Sequence, residues 1–157
     1  MPLLGLENLR GLTAAFCSEV LAPYLATRSE DEQLIILGLG VELGATDGLR
    51  IAPKRQFISL RKSSPRHDLD QYRDITEAHV ALLFTNHARG ASYAVELVAV
   101  MASKGFIVAC PEMTRHLEKN SLLLPIGIGE HRNNVYTIRR CGEIVASEST
   151  LYIFQKL

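Results

Sequence analysis

A single glutamate, Glu96, stands in an otherwise uncharged and apolar stretch of the chain. Between Arg89 and Lys104 no other side chain is charged. Burying an isolated carboxylate costs several kcal/mol unless it is paired or protonated, so a glutamate in this setting needs a reason. Two reasons compete. Either Glu96 takes part in catalysis, or its helix brings it to the surface, where it pairs with an arginine or a lysine.

Polar residues lie immediately before Glu96. The loop 86–90 follows an apolar segment and precedes the helical stretch that carries Glu96. Helical spacing places Ser92 and Tyr93 one turn before Glu96, on a common face near the helix N-terminus. The helix dipole disfavours a cation at the position of Arg89, so we expect Arg89 to face a phosphate or a carboxylate, or to extend into water. The predicted ligand-binding residues of this region are Asn86, Arg89, Gly90, Ser92 and Tyr93.

The segments that must position these residues predict an α/β fold. Uninterrupted apolar stretches, typical of strands buried in a parallel sheet, occur at 34–39, 57–60, 80–85 and 106–110. Helical patterns occupy 7–26, 64–78 and 91–104, and further strands are predicted at 122–128, 135–139, 144–147 and 151–154. We therefore predict one domain over residues 1–157. Its fold is doubly wound α/β, a mostly parallel sheet with helices on both faces and a β-hairpin-rich C-terminal addition.

Two glycines, Gly38 and Gly40, end the first predicted strand. Their Gly-x-Gly spacing is a fragment of a phosphate-binding fingerprint, although ordinary turn chemistry also explains it. Ligands of parallel α/β sheets bind outside the carboxyl ends of the strands, where the loop 86–90 is also expected. Both glycines are therefore candidate binding residues.

The order of elements around Glu96 resembles a known family. A strand, a short polar loop, the stretch Gly90-Ala-Ser-Tyr-Ala-Val-Glu-Leu97, a helix of small residues and another apolar strand resemble the nucleoside 2-deoxyribosyltransferase-like group, which includes nucleoside and nucleotide N-glycosidases. The resemblance covers about residues 68–111. The family commonly has an aspartate where this chain has His79.

The resemblance implies a covalent mechanism on a nucleoside or nucleotide. Glu96 would be the nucleophile that attacks the anomeric carbon of the ribosyl unit, and Asp74 or His87 would handle the proton. Two alternatives remain open. One is a TIR-like hydrolase that cleaves NAD, and the other is a non-catalytic nucleotide-binding or sensor module of the same fold.

Composition limits the partners. The 17 basic and 17 acidic residues cancel, so charge alone gives no reason to expect nucleic acid or an anionic membrane. No apolar stretch approaches the roughly 18–20 residues needed to span a bilayer, and no secretory signal stands at the N-terminus. We expect a cytoplasmic protein without a metal site or a cofactor. Its expected partner is a small-molecule nucleoside or nucleotide, and a homo-oligomer is possible.

Overall fold

The computed structural model describes residues 6–29, 31–41, 49, 52, 54–61, 64–133, 135–140 and 151–157. The predicted strand at 144–147 lies outside these residues. The helices are α1 Leu6–Phe16, α2 Ala22–Ala26, α3 Pro65–Asp70, α4 Ala91–Val100 and α5 Pro111–Leu117, and the π-helical segment Cys17–Leu21 joins α1 to α2. The strands are β1 Leu34–Leu39, β2 Arg55–Ser59, β3 Ala78–Leu83, β4 Met101–Ala109, β5 Leu123–Arg132, β6 Val135–Arg140 and β7 Leu151–Lys156. Among the described residues, no helix is both long enough and apolar enough to cross a membrane.

The strands form one seven-stranded sheet in the order β2-β1-β3-β4-β7-β5-β6. The neighbours from β2 to β4 run parallel. Beyond β4 the sheet becomes antiparallel, because β7 runs opposite to both β4 and β5, and β6 runs opposite to β5. The predicted α/β fold class is confirmed, with the C-terminal strands continuing the parallel sheet at one side.

Helices cover both faces of the sheet, and the first strand shows why. Leu34 and Ile36 of β1 belong to one apolar cluster, which also contains the residues of α1 and of the π-helical segment. Ile35, Leu37 and Leu39 point to the other face and join a cluster with residues of α3, α4 and α5. Because side chains alternate along a strand, a strand that is apolar at every position must be buried on both faces.

The predicted helix over 64–78 is much shorter in the structure. Helix α3 ends at Asp70, and the chain continues in turns, with Tyr72 N–H donating to Leu69 O and Ile75 N–H donating to Tyr72 O. Tyr72 and Ile75 still pack against the core. Their apolar spacing therefore reflects the burial of residues in turns. A buried helix would show the same spacing, so the sequence pattern does not distinguish the two.

Helix α4 also ends earlier than predicted, at Val100, and Met101 is already extended. The Lys156 ammonium group donates to Val98 O at 2.9 Å and to Met101 O at 2.7 Å, which satisfies carbonyls at the end of the helix. Within β4, Lys104 adopts a positive φ of 71°, between the parallel pairs Ala78–Met101 and Val80–Phe106, where the register shifts. The last predicted helical residues thus belong to the strand.

Helix α5 was not predicted. Pro111 was interpreted only as the end of the preceding strand, whereas it occupies the first turn of α5. Proline is favoured there because the first N–H groups of a helix have no intrahelical acceptor. This helix brings three polar side chains to the sheet edge that carries the candidate site.

Candidate functional site

The direction of the chain across the sheet changes at β1. Strands β2 and β3 both run parallel to β1 and lie on its opposite sides. The connections from β1 and from β3 therefore diverge at their carboxyl ends and leave a crevice, where ligands bind in open α/β sheets. Gly40 and Thr85 meet there: Gly40 has φ +68°, and a Cβ on it would lie 2.4 Å from Thr85 Cγ2. Only glycine allows this close approach.

A cavity of about 470 Å³ lies beside this crevice, beyond the ends of β3 and β4. We refer to it as the His87 cavity. Its lining residues come from the loop after β3 and from α5, and they are Asn86, His87, Ala88, Arg89, Gly90, Ala91, Glu112, Arg115 and His116. The structure therefore brings the predicted residues Asn86, His87, Arg89 and Gly90 together.

His87 is the buried polar side chain of this cavity. It is 7% exposed, and its ring stacks on Tyr93 with a centroid distance of 3.8 Å. The Arg89 N–H donates to His87 Nδ1 at 3.1 Å, so the Nδ1 atom is an acceptor and the proton of the neutral ring lies on Nε2. Among the described residues, Nε2 has no hydrogen-bond partner. His87 thus holds a buried N–H donor to which none of the described residues offers an acceptor.

Tyr93 does not share an exposed face with Glu96. Tyr93 is fully buried, and burial raises the pKa of its hydroxyl, which therefore stays protonated. This hydroxyl also has no partner in the described part of the chain. Ser92 is exposed, and its Oγ donates to Arg89 O at 3.1 Å. Neither residue lines the His87 cavity. Ser92 closes the first turn of α4, and Tyr93 supports His87.

Glu96 is half-exposed and paired. Arg89 Nη2 lies 2.5 Å from Glu96 Oε2, and Arg89 Nη1 lies 3.4 Å from Glu96 Oε1. The two side chains are 42% and 39% exposed. The carboxylate is therefore neither buried nor isolated, and the structural alternative of a surface ion pair describes it. The anionic partner expected for Arg89 is therefore the carboxylate of Glu96.

The other residues implied in the glycosidase mechanism lie elsewhere. Asp74 is exposed in the turn that follows α3 and does not line the His87 cavity. His79 is in β3, where Ile35 N–H donates to its Nδ1 at 2.9 Å. Burial, together with the charge of Arg28, lowers the pKa of His79 to about 4. His79 is therefore a neutral structural acceptor between β1 and β3.

A second cavity, of about 360 Å³, lies where β2 meets α3. We refer to it as the Asp68 cavity. Asp68 is 6% exposed, and its Oδ2 accepts a hydrogen bond from Arg61 N–H at 3.0 Å. Leu60 N–H donates to Gly38 O at 2.7 Å, so the residues after β2 adjoin the end of β1. The cavity is lined by Ile58, Ser59, Arg61, His67, Asp68, Gln71 and Tyr72.

Sequence reasoning missed Asp68. A signal was available, because Ser64-Pro65 predicts a helix start directly after a strand, and Asp68 stands in the first turn of that helix. The α5 residues Glu112, Arg115 and His116 were missed for a related reason. Their assignment to the site required recognising that Pro111 begins a helix at the same edge of the sheet.

The candidate glycines have different roles. Gly38 packs inside the sheet, since a Cβ there would lie 2.4 Å from the Phe57 ring. Gly90 has φ +46°, and a Cβ there would lie 2.9 Å from the His116 ring. The absence of a side chain at Gly90 lets His116 of α5 lie against the loop after β3. Gly40 and Gly90 thus shape the binding edge, whereas Gly38 serves packing.

The cysteines and the possible metal ligands offer no second reactive centre in the described ranges. Burial raises the pKa of the Cys17 thiol and of the Cys110 thiol to about 12, so both are protonated at neutral pH. Within the same ranges, no three His, Cys, Asp or Glu side chains converge to hold a metal ion.

No protein-family model matches the sequence, and no curated protein sequence matches it. The structure is similar to a probable spermidine synthase from Corynebacterium glutamicum ATCC 13032, with a TM-score of 0.52 and 10% identity. That match covers 96% of this chain, whereas the chain spans 63% of the length of the spermidine synthase. A precorrin-6y C5,15-methyltransferase from Geobacter metallireducens GS-15 matches with a TM-score of 0.35, 11% identity and 87% coverage of each chain. The likeness to the spermidine synthase supports an α/β, Rossmann-like fold for this chain.

The likeness to the spermidine synthase corrects the sequence-based assignment. The fold is similar to that of a probable spermidine synthase, so the resemblance to the nucleoside deoxyribosyltransferase-like group is wrong. Cleavage or transfer of an N-glycosidic bond is contradicted with it, as is a nucleoside or nucleotide as the specific partner. The NAD-cleaving and nucleotide-sensor alternatives receive no support either. The ion pair of Glu96 with Arg89 gives the physical reason, because the proposed nucleophile already has a structural partner.

Proposed function

We propose that this protein is a methyltransferase-like group-transfer domain that binds an S-adenosyl compound at the carboxyl ends of β1 and β2. A second small molecule, the acceptor, would occupy the His87 cavity. The observation that carries the proposal is the crevice at Gly40 and Thr85, which lies at the point where the strand order reverses. A Rossmann-like methyltransferase sheet binds its cofactor at this position.

The residues present fit such a cofactor in one respect. Gly40 serves the turn at the end of β1, since its φ is +68° and the Thr85 side chain occupies the place of a Cβ. Asp68 places a carboxylate in the cavity at the end of β2, where an acidic side chain accepts hydrogen bonds from ribose hydroxyl groups. It differs from the usual arrangement in coming from α3 and being held by Arg61 N–H. When bound, S-adenosylmethionine would supply an activated methyl group.

The His87 cavity is placed to hold an acceptor beside the cofactor. The His87 cavity adjoins the crevice because Asn86 directly follows Thr85. Its lining contains the cations of Arg89 and Arg115 and the carboxylate of Glu112, and Arg89 is already paired with Glu96. The fold likeness supports group transfer, and the mixed charges of the lining suit a polar acceptor.

Calorimetric titration with S-adenosylmethionine and with S-adenosylhomocysteine tests the proposal. We expect saturable binding, weakened about tenfold in Asp68→Asn, because an amide replaces the carboxylate that faces the ribose while its size is kept. Asp70→Asn is the matched control, since Asp70 is an exposed residue of the same helix. Absence of binding to the wild-type protein overturns the proposal. Equal affinity of the wild type and of Asp68→Asn for S-adenosylmethionine would show that Asp68 does not contribute to binding.

A further inference from the structure

The Asp68 cavity has the size and the walls that a purine ring needs. Its volume is about 360 Å³, and small-molecule sites typically occupy about 300–1,000 Å³. Its lining includes Ile58, which is buried, and Tyr72, which is half-buried and packs against the core. A flat aromatic ligand is stabilised by contact with apolar and aromatic side chains of this kind.

Asp68 and Gln71 reach this cavity from one helix. Asp68 lies in α3, and Gln71 is the residue that caps the end of this helix, three positions later. Residues three apart lie on the same side of a helix, and both side chains line the cavity. The Asp68 carboxylate accepts from Arg61 N–H at 3.0 Å. A ligand in this cavity therefore meets two separate polar groups of α3.

A hydrogen bond determines how the Gln71 amide is oriented. Its Nε2 donates to His67 O at 3.1 Å. A carbonyl oxygen can only accept, so the end of the amide that is bonded to α3 must be its nitrogen. The amide oxygen, Oε1, has no hydrogen-bond donor in the part of the chain that the structure describes. Gln71 thus offers a ligand a carbonyl acceptor whose orientation is set by its own helix.

We propose that Gln71 selects adenine as the base of the S-adenosyl compound. The purine ring packs against Ile58 and Tyr72, its 6-amino group donates to Gln71 Oε1, and the ribose hydroxyl groups reach Asp68. A purine with an oxo group at position 6 presents an acceptor to Oε1 instead, and two acceptors do not form a hydrogen bond. Gln71 is therefore a specificity-determining residue. This inference rests on the proposed function and deepens it by naming the side chain that distinguishes the base.

Calorimetric titrations with S-adenosylhomocysteine and with S-inosylhomocysteine test the inference. The inosyl compound has an oxo group in place of the 6-amino group and carries a proton on the adjoining N1. We expect the wild type to bind the adenosyl compound about tenfold more tightly, because the inosyl compound loses one hydrogen bond and places two acceptors against each other. Equal affinities of the wild type for the two compounds would overturn the role of Gln71.

Variants locate the selectivity in one side chain. Gln71→Leu removes Oε1, so the ratio of the two affinities should fall below about threefold. Gln71→Glu keeps an acceptor oxygen and should retain the preference for the adenosyl compound. Gln33→Leu, at an exposed glutamine outside the cavity, is the matched control and should leave both affinities unchanged. Because Gln71 is itself exposed, its variants are expected to fold.

The outcomes separate this inference from the proposed function. If neither compound binds to the wild type, the proposed function is wrong and the inference fails with it. If both bind with equal affinity, the proposed function stands and the selectivity of Gln71 is overturned. If Gln71→Leu weakens the binding of both compounds by the same factor, Gln71 has a structural role only, which also overturns the inference. A ratio that falls in Gln71→Leu and persists in Gln33→Leu supports it.

Discussion

At the scale of single residues, the decisive fact is that Glu96 is paired. Its setting in the sequence indicated a buried carboxylate in need of an explanation, and the structure shows a half-exposed side chain with two contacts to Arg89. Two neighbouring polar groups, the Nε2–H of His87 and the hydroxyl of Tyr93, lie buried without a partner among the described residues. In this region the glutamate is paired, and the histidine of the preceding loop carries an unpaired polar group.

Replacing Glu96 tests this reassignment. We expect Glu96→Gln to lower the free energy of unfolding by less than about 1 kcal/mol, because an ion pair exposed by about 40% is screened by solvent. Binding of S-adenosylmethionine should not change. Urea unfolding and calorimetry measure the two quantities. A loss above about 2 kcal/mol would indicate that the pair holds the loop and α4 together.

His79 gives the protein a pH-dependent stability. Burial and the charge of Arg28 lower its pKa from 6.5 to about 4, so between these values the unfolded chain binds a proton that the folded protein does not. The stabilisation is complete above pH 6.5 and is lost as the pH falls towards 4, an effect on the order of 1–3 kcal/mol. His79→Asn keeps an acceptor for Ile35 N–H but does not titrate in this range.

Urea unfolding at pH 7.5 and pH 5 compares the two proteins. The free energy of unfolding of the wild type should fall more steeply with acid than that of His79→Asn, since all other titrating groups are common to both. Parallel pH profiles would show that the pKa of His79 is not lowered by folding.

At the scale of elements, the ends of helices position the site. Helix α4 begins at the His87 cavity and ends where the Lys156 ammonium group binds Val98 O and Met101 O. Helix α5 begins at Pro111 and presents Arg115 and His116 to the same cavity. Both helices follow parallel strands, so their N-termini meet at one edge of the sheet.

The contact of Lys156 with α4 is a testable part of this arrangement. Lys156→Met keeps most of the apolar stem and leaves both carbonyl groups without their charged donor, so we expect a loss of about 1–3 kcal/mol of stability. Thermal or urea unfolding measures it. Lys119→Met, at an exposed position, should change stability by no more than about 0.5 kcal/mol. Equal effects of the two changes would contradict a specific role for Lys156.

At the scale of the whole molecule, the C-terminal strand lies inside the sheet. Strand β7 is paired with β4 on one side and with β5 on the other, so the parallel and antiparallel parts are joined through it. Phe154 is 1% exposed within this strand, although it is close to the end of the chain. A single domain over residues 1–157, the cytoplasmic location and the homo-oligomer remain predictions.

The central position of β7 predicts a large effect of Phe154→Ala. Removing a buried aromatic side chain leaves a cavity in the core and should cost about 3–5 kcal/mol. Leu157→Ala, three positions later and 55% exposed, should cost less than about 0.5 kcal/mol. Urea unfolding of both variants provides the comparison. A small effect of Phe154→Ala would mean that β7 frays as a terminal strand does.

The sequence by itself determined the fold class and most of the elements. Apolar runs such as 34–39 and 80–85 indicated strands buried on both faces, because only a layer covered by helices on each side can bury every side chain of a strand. The loop 86–90 lies at the carboxyl end of β3, as the strand pattern indicated, because loops that follow parallel strands gather at one edge; its role in ligand binding stays a prediction. Local pattern is sufficient where the periodicity of a segment follows from its burial.

Only the tertiary structure decided which side chains are available for chemistry. The pairing of Glu96 with Arg89, the stacking of His87 on Tyr93 and the approach of α5 to Gly90 depend on distances between segments that the sequence leaves undetermined. The insertion of β7 between β4 and β5 is of the same kind, because strand order depends on contacts between residues far apart in the chain. Whether a polar group is buried, paired or open to a ligand is a property of its neighbours in space.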